Sequence, residues 1–543
     1  MADGVGDDSV CYIGVAQRLF EITDGAGARF ARARPLACRI HVIGKFGTLL
    51  GHTLIYGLGN YGIKVVGFLL IPLYTRYLST EDYGLMSLVS LYTQALFILV
   101  NMGQSTSVFR FYYDHDSDEE RNKVIASSLW ILVLFSLPVA AIPLLAPGPI
   151  SAWLLNDSAH SYLIVIATLA VLCKVVLRMP FQLMRAADES KRYAFWSVVR
   201  NGLTTLLAVV FIVAFSMKVE GVILSQFVGE FVMCLVLTWP VRHAFKAGFH
   251  WQGIKDQMVY GLPLVPAGVA AFGLDLMDRW FIKHYYSVSE VGIYSLGYRF
   301  GEIMTFVVTA FQLSWPQFIF QHRKQPDAPQ LYAQMGTYYA AFLMTVWLGL
   351  SVFADDLIHM MATPKFYAAA SVVPIIAFAL VLDGMSFMVK IGIIITKKIY
   401  YRTVTIFIAA GAAIILNYLL IPPFGIMGAA WATLLGFALQ VSVTLYYSQR
   451  LFYVPFPWKR IGMIVGGGLL TYFLAESITF ESRVASIAFK VMFLPLYPAA
   501  LLASGLFARD DIEKAITWAG GRVPKARPAL ERLRPLVRFV PSS

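Results

Sequence analysis

The sequence predicts an all-α polytopic membrane protein of about fourteen transmembrane helices. Three observations carry that prediction. Of 543 residues, 58% are hydrophobic and only 14% are charged, with a mean hydropathy of +0.66. That is too apolar for a water-soluble domain. Apolar runs of about twenty residues recur from about residue 48 to about residue 505 and show no two-residue alternation, so they are helices rather than barrel strands. The connections between them are short, and the longest polar pieces are the two tails.

Taken in order, the first six spans fall at about 48–75, 84–110, 124–147, 161–184, 193–216 and 219–241. Six more follow at about 258–283, 292–320, 331–354, 368–396, 401–421 and 425–448, and two extra at about 460–477 and 485–506. Pro422, Pro423 and Gly425 are expected to stop one helix and let the chain reverse. The chain divides into a cytoplasmic tail over 1–46, six-helix lobes over 47–250 and 251–450, two additional helices over 451–507 and a basic cytoplasmic tail over 508–543. The first tail reads equally as a disordered basic segment or as sequence upstream of the true start.

Charge placement gives the orientation. Arg121, Lys123, Arg185, Lys191, Arg192, Arg242, Lys246, Lys255, Arg323, Lys324, Lys397, Lys398, Arg402, Lys459 and Arg460 fall in alternate connections, and the C-terminal tail adds Arg522, Lys525, Arg527, Arg532, Arg534 and Arg538. Positive residues beside span ends are retained in the cytoplasm, so both termini are expected there, with the protein in the inner (plasma) membrane. The net charge of +12 follows from this bias and from anionic headgroups. Basic residues scattered over short loops do not suit a nucleic acid. Cys11, Cys38, Cys173 and Cys234 have no metal-site spacing. No cofactor and no metal are expected.

An internal repeat is visible. Tyr83-Gly84-Leu85-Met86-Ser87-Leu88 corresponds to Val291-Gly292-Ile293-Tyr294-Ser295-Leu296, 208 residues later, with Asp82 and Glu290 just ahead of each. Gly221-Val222-Ile223 and Gly425-Ile426-Met427 repeat at an offset of 204. Six spans separate the partners, so the two lobes insert with one orientation, related by a pseudo-two-fold axis along the membrane normal. Such repeats mark transporters, with a substrate site expected between the halves.

Charges inside spans point the same way, since each costs on the order of 2.5–3.5 kcal/mol near the bilayer centre. They are Lys64, Lys174, Arg178, Arg200, Glu230, Asp275, Asp278, Arg279, Arg299, Glu302, Asp383 and Lys390. Cations predominate, so a cavity lined by them attracts an anion. Arginine grips phosphate with a planar fork, and lysine acts as a point charge. Lys64, Arg178, Arg200, Arg299 and Lys390 are the candidate substrate-binding residues. Glu230, Asp275, Asp278, Arg279 and Asp383 are candidates for coupling or gating. Pro263 and Pro266 interrupt span seven and make it the candidate gate.

Four motifs carry a family resemblance: Ile71-Pro72-Leu73-Tyr74-Thr75-Arg76-Tyr77-Leu78-Ser79 with Tyr83-Gly84; Tyr260-Gly261-Leu262-Pro263-Leu264-Val265-Pro266 followed by Asp278-Arg279; Val291-Gly292-Ile293-Tyr294-Ser295; and Asn417 to Pro422, then Phe424-Gly425-Ile426 and Gly428-Ala429-Ala430-Trp431-Ala432-Thr433. In this order the chain resembles the polysaccharide-lipid (O-antigen and capsule type) flippases of the multidrug/oligosaccharidyl-lipid/polysaccharide exporter superfamily. The resemblance covers about residues 48–505, nearly the whole apolar body. It implies a non-enzymatic transporter that moves a polyprenyl-diphosphate-linked oligosaccharide to the outer leaflet by alternating access. It also implies membrane lipids, a polysaccharide polymerase with its chain-length machinery, and proton or sodium coupling. The alternatives are a cation-coupled drug antiporter of the same superfamily and a membrane-embedded polysaccharide polymerase or ligase. A cationic cavity argues against the first, and the lack of a large loop bearing catalytic residues argues against the second.

Overall fold

Lipid offers a peptide group no hydrogen-bond partner, so each segment must satisfy its own backbone, and every regular element among the described residues is helical. The structure, a computed structural model, describes residues 67–115, 117–187, 189–238, 248–478 and 482–503. The N-terminal half contains α1 (Ile71–Tyr77), α2 (Thr80–Asn101), α3 (Gln104–Tyr113), α4 (Asp118–Ile131), α5 (Leu137–Leu145), α6 (Pro147–Leu155), α7 (Ser161–Ala186), α8 (Ser190–Val213) and α9 (Val219–Thr238). The second half contains α10 (Trp251–Gly261), α11 (Leu264–Leu276), α12 (Asp278–Tyr285), α13 (Val288–Gly301), α14 (Ile303–His322), α15 (Ala328–Val352), α16 (Ala354–Met361), α17 (Val373–Val389), α18 (Ile391–Ile395) and α19 (Tyr400–Leu451). Last come α20 (Trp458–Ser477), α21 (Arg483–Phe493) and α22 (Leu496–Ala503).

Among the described residues, ten helical stretches are long and apolar enough to cross a membrane. One of them, α19, runs for 52 residues. At about 1.5 Å per residue it is more than twice the length that a bilayer core accommodates. It bends at Gly425, where φ is +57° and ψ is −134°. The run is therefore two helices that meet at Gly425, where the expected spans 401–421 and 425–448 adjoin, with a sharp kink in place of a loop. Pro422 and Pro423 stay in the helical run, and the residue without a Cβ takes the whole turn. The expected eighth span is divided at Glu302 into α13 and α14. Of the expected first span, residues up to 66 and with them Lys64 lie outside the described residues, as do both tails.

The repeat becomes a contact. Ser79 caps α2 by accepting from the Asp82 N–H, and Ser287 caps α13 by accepting from the Glu290 N–H. These caps are equivalent positions of the two repeats, and each satisfies a donor that the helix start leaves free. The two helices then pack face to face. A Cβ added at Gly84 would fall on the Val288 carbonyl oxygen, and one added at Gly292 would fall on that of Thr80. Small residues let backbones approach this closely. Thr80 Oγ1 and Ser289 Oγ lie 3.1 Å apart, and Ser87 Oγ and Ser295 Oγ lie 2.6 Å apart. Ser87 and Ser295 are equivalent residues bonded to each other, which happens only on a two-fold axis. Beside this seam, Lys283 donates to the Trp153 carbonyl at 2.6 Å, and Thr363 donates to the Thr75 carbonyl at 3.0 Å. One end of the bundle is thereby closed.

Candidate functional site

Below the seam, α2, α7, α8 and α9 enclose a cavity of about 660 Å³. Helix α2 contributes Ser90, Thr93, Gln94 and Phe97; α7 contributes Lys174, Arg178 and Arg185; α8 contributes Tyr193, Ser197, Arg200 and Asn201; α9 contributes Gln226 and Glu230. Four cations thus face one carboxylate. Lys174 and Arg178 are one helical turn apart on α7, and both lie 4.9 Å from the centre of the Phe97 ring. The ring face offers two like charges a partly desolvated attraction that offsets some of their repulsion. Arg200 engages Glu230 with both fork edges, Nε at 2.9 Å from one carboxylate oxygen and Nη2 on the other. Hydroxyl and amide groups fill the wall between the charges. Such a surface can hold an anion and hydrogen-bond the hydroxyls attached to it.

A second cavity of about 320 Å³ lies directly under the seam. It shares Ser90, Gln94 and Gln226 with the first, so the two adjoin. Its walls come from both halves: Tyr74, Tyr83 and Ser87 on one side, Arg279, Ser295, Tyr298, Arg299 and Glu302 on the other. Arg299 donates to the Gly67 carbonyl at 2.9 Å and reaches the Tyr83 hydroxyl at 3.5 Å.

The structure brings only some of the expected residues together. Arg178 and Arg200 share the large cavity, joined by Lys174 and Arg185. Arg299 belongs to the smaller one. Lys390 lines neither; it sits between α17 and α18, over the Phe387 ring at 3.0 Å and within electrostatic reach of Asp383 and Arg402. The larger cavity also lies within the N-terminal half, its lining running from Ser90 to Glu230, while only the smaller one lies between the halves.

Span seven is interrupted as the prolines implied. Helix α10 ends at Gly261, Pro263 stands at the N-cap of α11, and Pro266 lies in its first turn. Further along, Asp278 and Arg279 are 2% and 8% exposed at the side chain and paired at 3.1 Å. The carboxylate also accepts from the Tyr294 hydroxyl and, at 3.4 Å, from Thr433 Oγ1. Arg279 also donates to the Asp275 carbonyl at 3.4 Å, and such added hydrogen bonds are what a buried ion pair requires. Glu302 lies on the wall of the smaller cavity, and Asp275, at the end of α11, lies within electrostatic reach of Asp383, Asp278, Arg279 and Glu302. Among the described residues no group of three or more His, Cys, Asp or Glu side chains is placed to hold a metal ion.

The family model described as "Polysaccharide biosynthesis protein" matches residues 49–316. This chain is similar to the polysaccharide-lipid flippases. The succinoglycan biosynthesis transport protein ExoT of Rhizobium meliloti is 22% identical over 302 residues, 54% of this chain and 58% of ExoT. A Haloferax volcanii protein named "Probable low-salt glycan biosynthesis flippase Agl15" is 22% identical over 267 residues, 48% of this chain and 55% of the relative. The matched region spans 55–67% of the length of the curated relatives. Among solved structures, the lipid II flippase MurJ in an inward closed conformation superposes with a TM-score of 0.66 at 13% identity, covering 82% of this chain and 98% of MurJ. The flippase-like fold, with its ten candidate spans, accords with the resemblance read from the motifs.

Proposed function

We propose that the chain carries a polyprenyl-diphosphate-linked oligosaccharide from the cytoplasmic to the outer leaflet of the inner membrane by alternating access, for cell-surface polysaccharide synthesis. The observation that carries this reading is the large polar cavity with four cations against one carboxylate, shut at one end by the seam of α2 and α13. Lys174, Arg178 and Arg200 hold the diphosphate. The hydroxyl and amide groups of Ser90, Gln94 and Gln226, which line both cavities, and of Thr93 in the larger one accompany the sugars. The lipid tail stays in the bilayer. With both termini cytoplasmic, the seam is the outer gate and this is the inward-facing state. The lobes over 47–250 and 251–450 then rock about it, with the break at Pro263 and Pro266 as hinge. Asp275, Glu302 and Asp383 are the acids available for a coupling proton or sodium ion. A polymerase and its chain-length machinery would receive the product.

The test is reconstitution in liposomes with a fluorescent short-chain polyprenyl-diphosphate disaccharide. Replacing Lys174 and Arg178 by Ala together is expected to lower flipping at least about tenfold without loss of membrane insertion, since two charge-assisted phosphate contacts are removed. Flipping at the wild-type rate would overturn the assignment.

A further inference from the structure

Glu230 has no place in an anion site unless it does something there. Its carboxylate lies on the wall of the cationic cavity and fills the Arg200 fork with the same two-point geometry that a phosphate would use. The pair is not sealed in the core: the Arg200 and Glu230 side chains are 22% and 14% exposed. Water and ligand can therefore reach it. We infer that Glu230 is a tethered competitor for the substrate's phosphate. It occupies Arg200 when the cavity is empty, yields the fork when the diphosphate enters and retakes it as the diphosphate leaves.

The physical need is release. Four cations facing a diphosphate in a cavity partly shielded by low-dielectric helices attract it more strongly than the same charges would in bulk water. A carrier must bind loosely enough to let go. A carboxylate held one side chain away lowers the apparent affinity by the fraction of time that it holds the fork, and it supplies a ready partner for Arg200 at the moment of release. The neighbours of Glu230 permit the exchange. Helix α7 presents Lys174, Arg178 and Cys173 nearby, α8 presents Arg200 and Tyr193, and α2 presents Ser90, Thr93 and Gln94. The displaced carboxylate has cations and hydroxyls within the same cavity, alongside the apolar Phe97, Val171 and Phe181.

This inference rests on reading the cavity as a diphosphate site, and the experiment separates the two. Full-length protein in phosphatidylcholine nanodiscs is titrated with farnesyl diphosphate, and flipping is measured in parallel in liposomes. Glu230→Gln, which keeps the shape and removes the charge, is expected to bind about tenfold more tightly, to release more slowly and to flip more slowly. A residue with a merely structural role would weaken binding instead. Glu230→Asp, which withdraws the charge by one methylene, is expected to lie between, and it decides the question should the glutamine variant fail to accumulate. In an Arg200→Gln background, Glu230→Gln should no longer tighten binding, because no fork remains to be freed. Unchanged or weaker binding by Glu230→Gln, or tightening that persists without Arg200, overturns the inference while leaving the anion site standing. Absence of binding by the wild type sinks the site and this inference together.

Discussion

Replacing Gly84 by Ala tests the seam most directly. A Cβ at this position meets the Val288 carbonyl oxygen, with the carbonyl carbon 2.8 Å away. Ordinary contact between such atoms is about 3.5 Å. The obstacle is helix backbone, which does not rotate aside as a side chain would, so α2 and α13 must separate. Overpacking of this kind costs about 1–3 kcal/mol. At about 1.4 kcal/mol per tenfold, a value of 2 kcal/mol lowers the population of the closed seam about thirtyfold relative to the open one. Ser87 and Ser295 provide the reporter, because their oxygens lie 2.6 Å apart. With Ser87→Cys and Ser295→Cys, oxidation should cross-link the otherwise unaltered protein rapidly. Adding Gly84→Ala should slow the cross-link by an order of magnitude or more. By the pseudo-symmetry, Gly292→Ala should slow it by a similar factor, and the two together should be less than additive because they open one and the same contact. Cross-linking at an unchanged rate in both single variants would show that the seam is not a backbone contact, and the reasoning fails.

Two further outcomes follow from the second half. Asp278→Ala leaves Arg279 buried without its carboxylate and takes a partner from Tyr294, so a loss of about 3–5 kcal/mol is expected in a thermal or denaturant unfolding experiment. Asp278→Asn should cost less, because it keeps acceptor geometry. Gly425→Ala places a Cβ on backbone at φ +57° and ψ −134°, a conformation that L-residues seldom adopt. It should cost about 1–3 kcal/mol and reduce accumulation in the membrane, measured by fluorescence-detected size exclusion. Full stability of that variant would show that the bend relocates freely.

Much of the fold was legible because lipid imposes length and apolarity on each crossing, and these survive in single residues. The repeat was legible at Gly84 and Gly292 because backbone contact tolerates no other residue there. That equivalent residues touch was not: similarity between two segments says that they share a role, and only residues on the symmetry axis also share a contact, as Ser87 and Ser295 do. The cationic cavity was legible in sign but not in membership. Burial cost marks Arg178 and Lys390 alike. The direction in which each points depends on helix rotation, with about 100° between successive residues. Arg178 turns into the cavity with Lys174, and Lys390 falls beyond it on the Phe387 ring. The apolar pattern ends span four at about 184 and leaves Arg185 in the loop; α7 continues two residues further to Ala186, and its last turn brings Arg185 to the cavity wall. Glu230 was visible as a buried acid, but its partner on another helix was not.

Tyr286, just past α12, donates its hydroxyl to the Pro422 carbonyl at 2.8 Å, and its ring stands 3.4 Å from where a Cβ of Gly425 would be. The elbow of the longest helix is thus propped by the tail of the broken span. A swing of that span would either carry the bend with it or break this contact. In the first case the C-terminal half would tilt as a stiff frame, with its compliance concentrated at the proline break upstream.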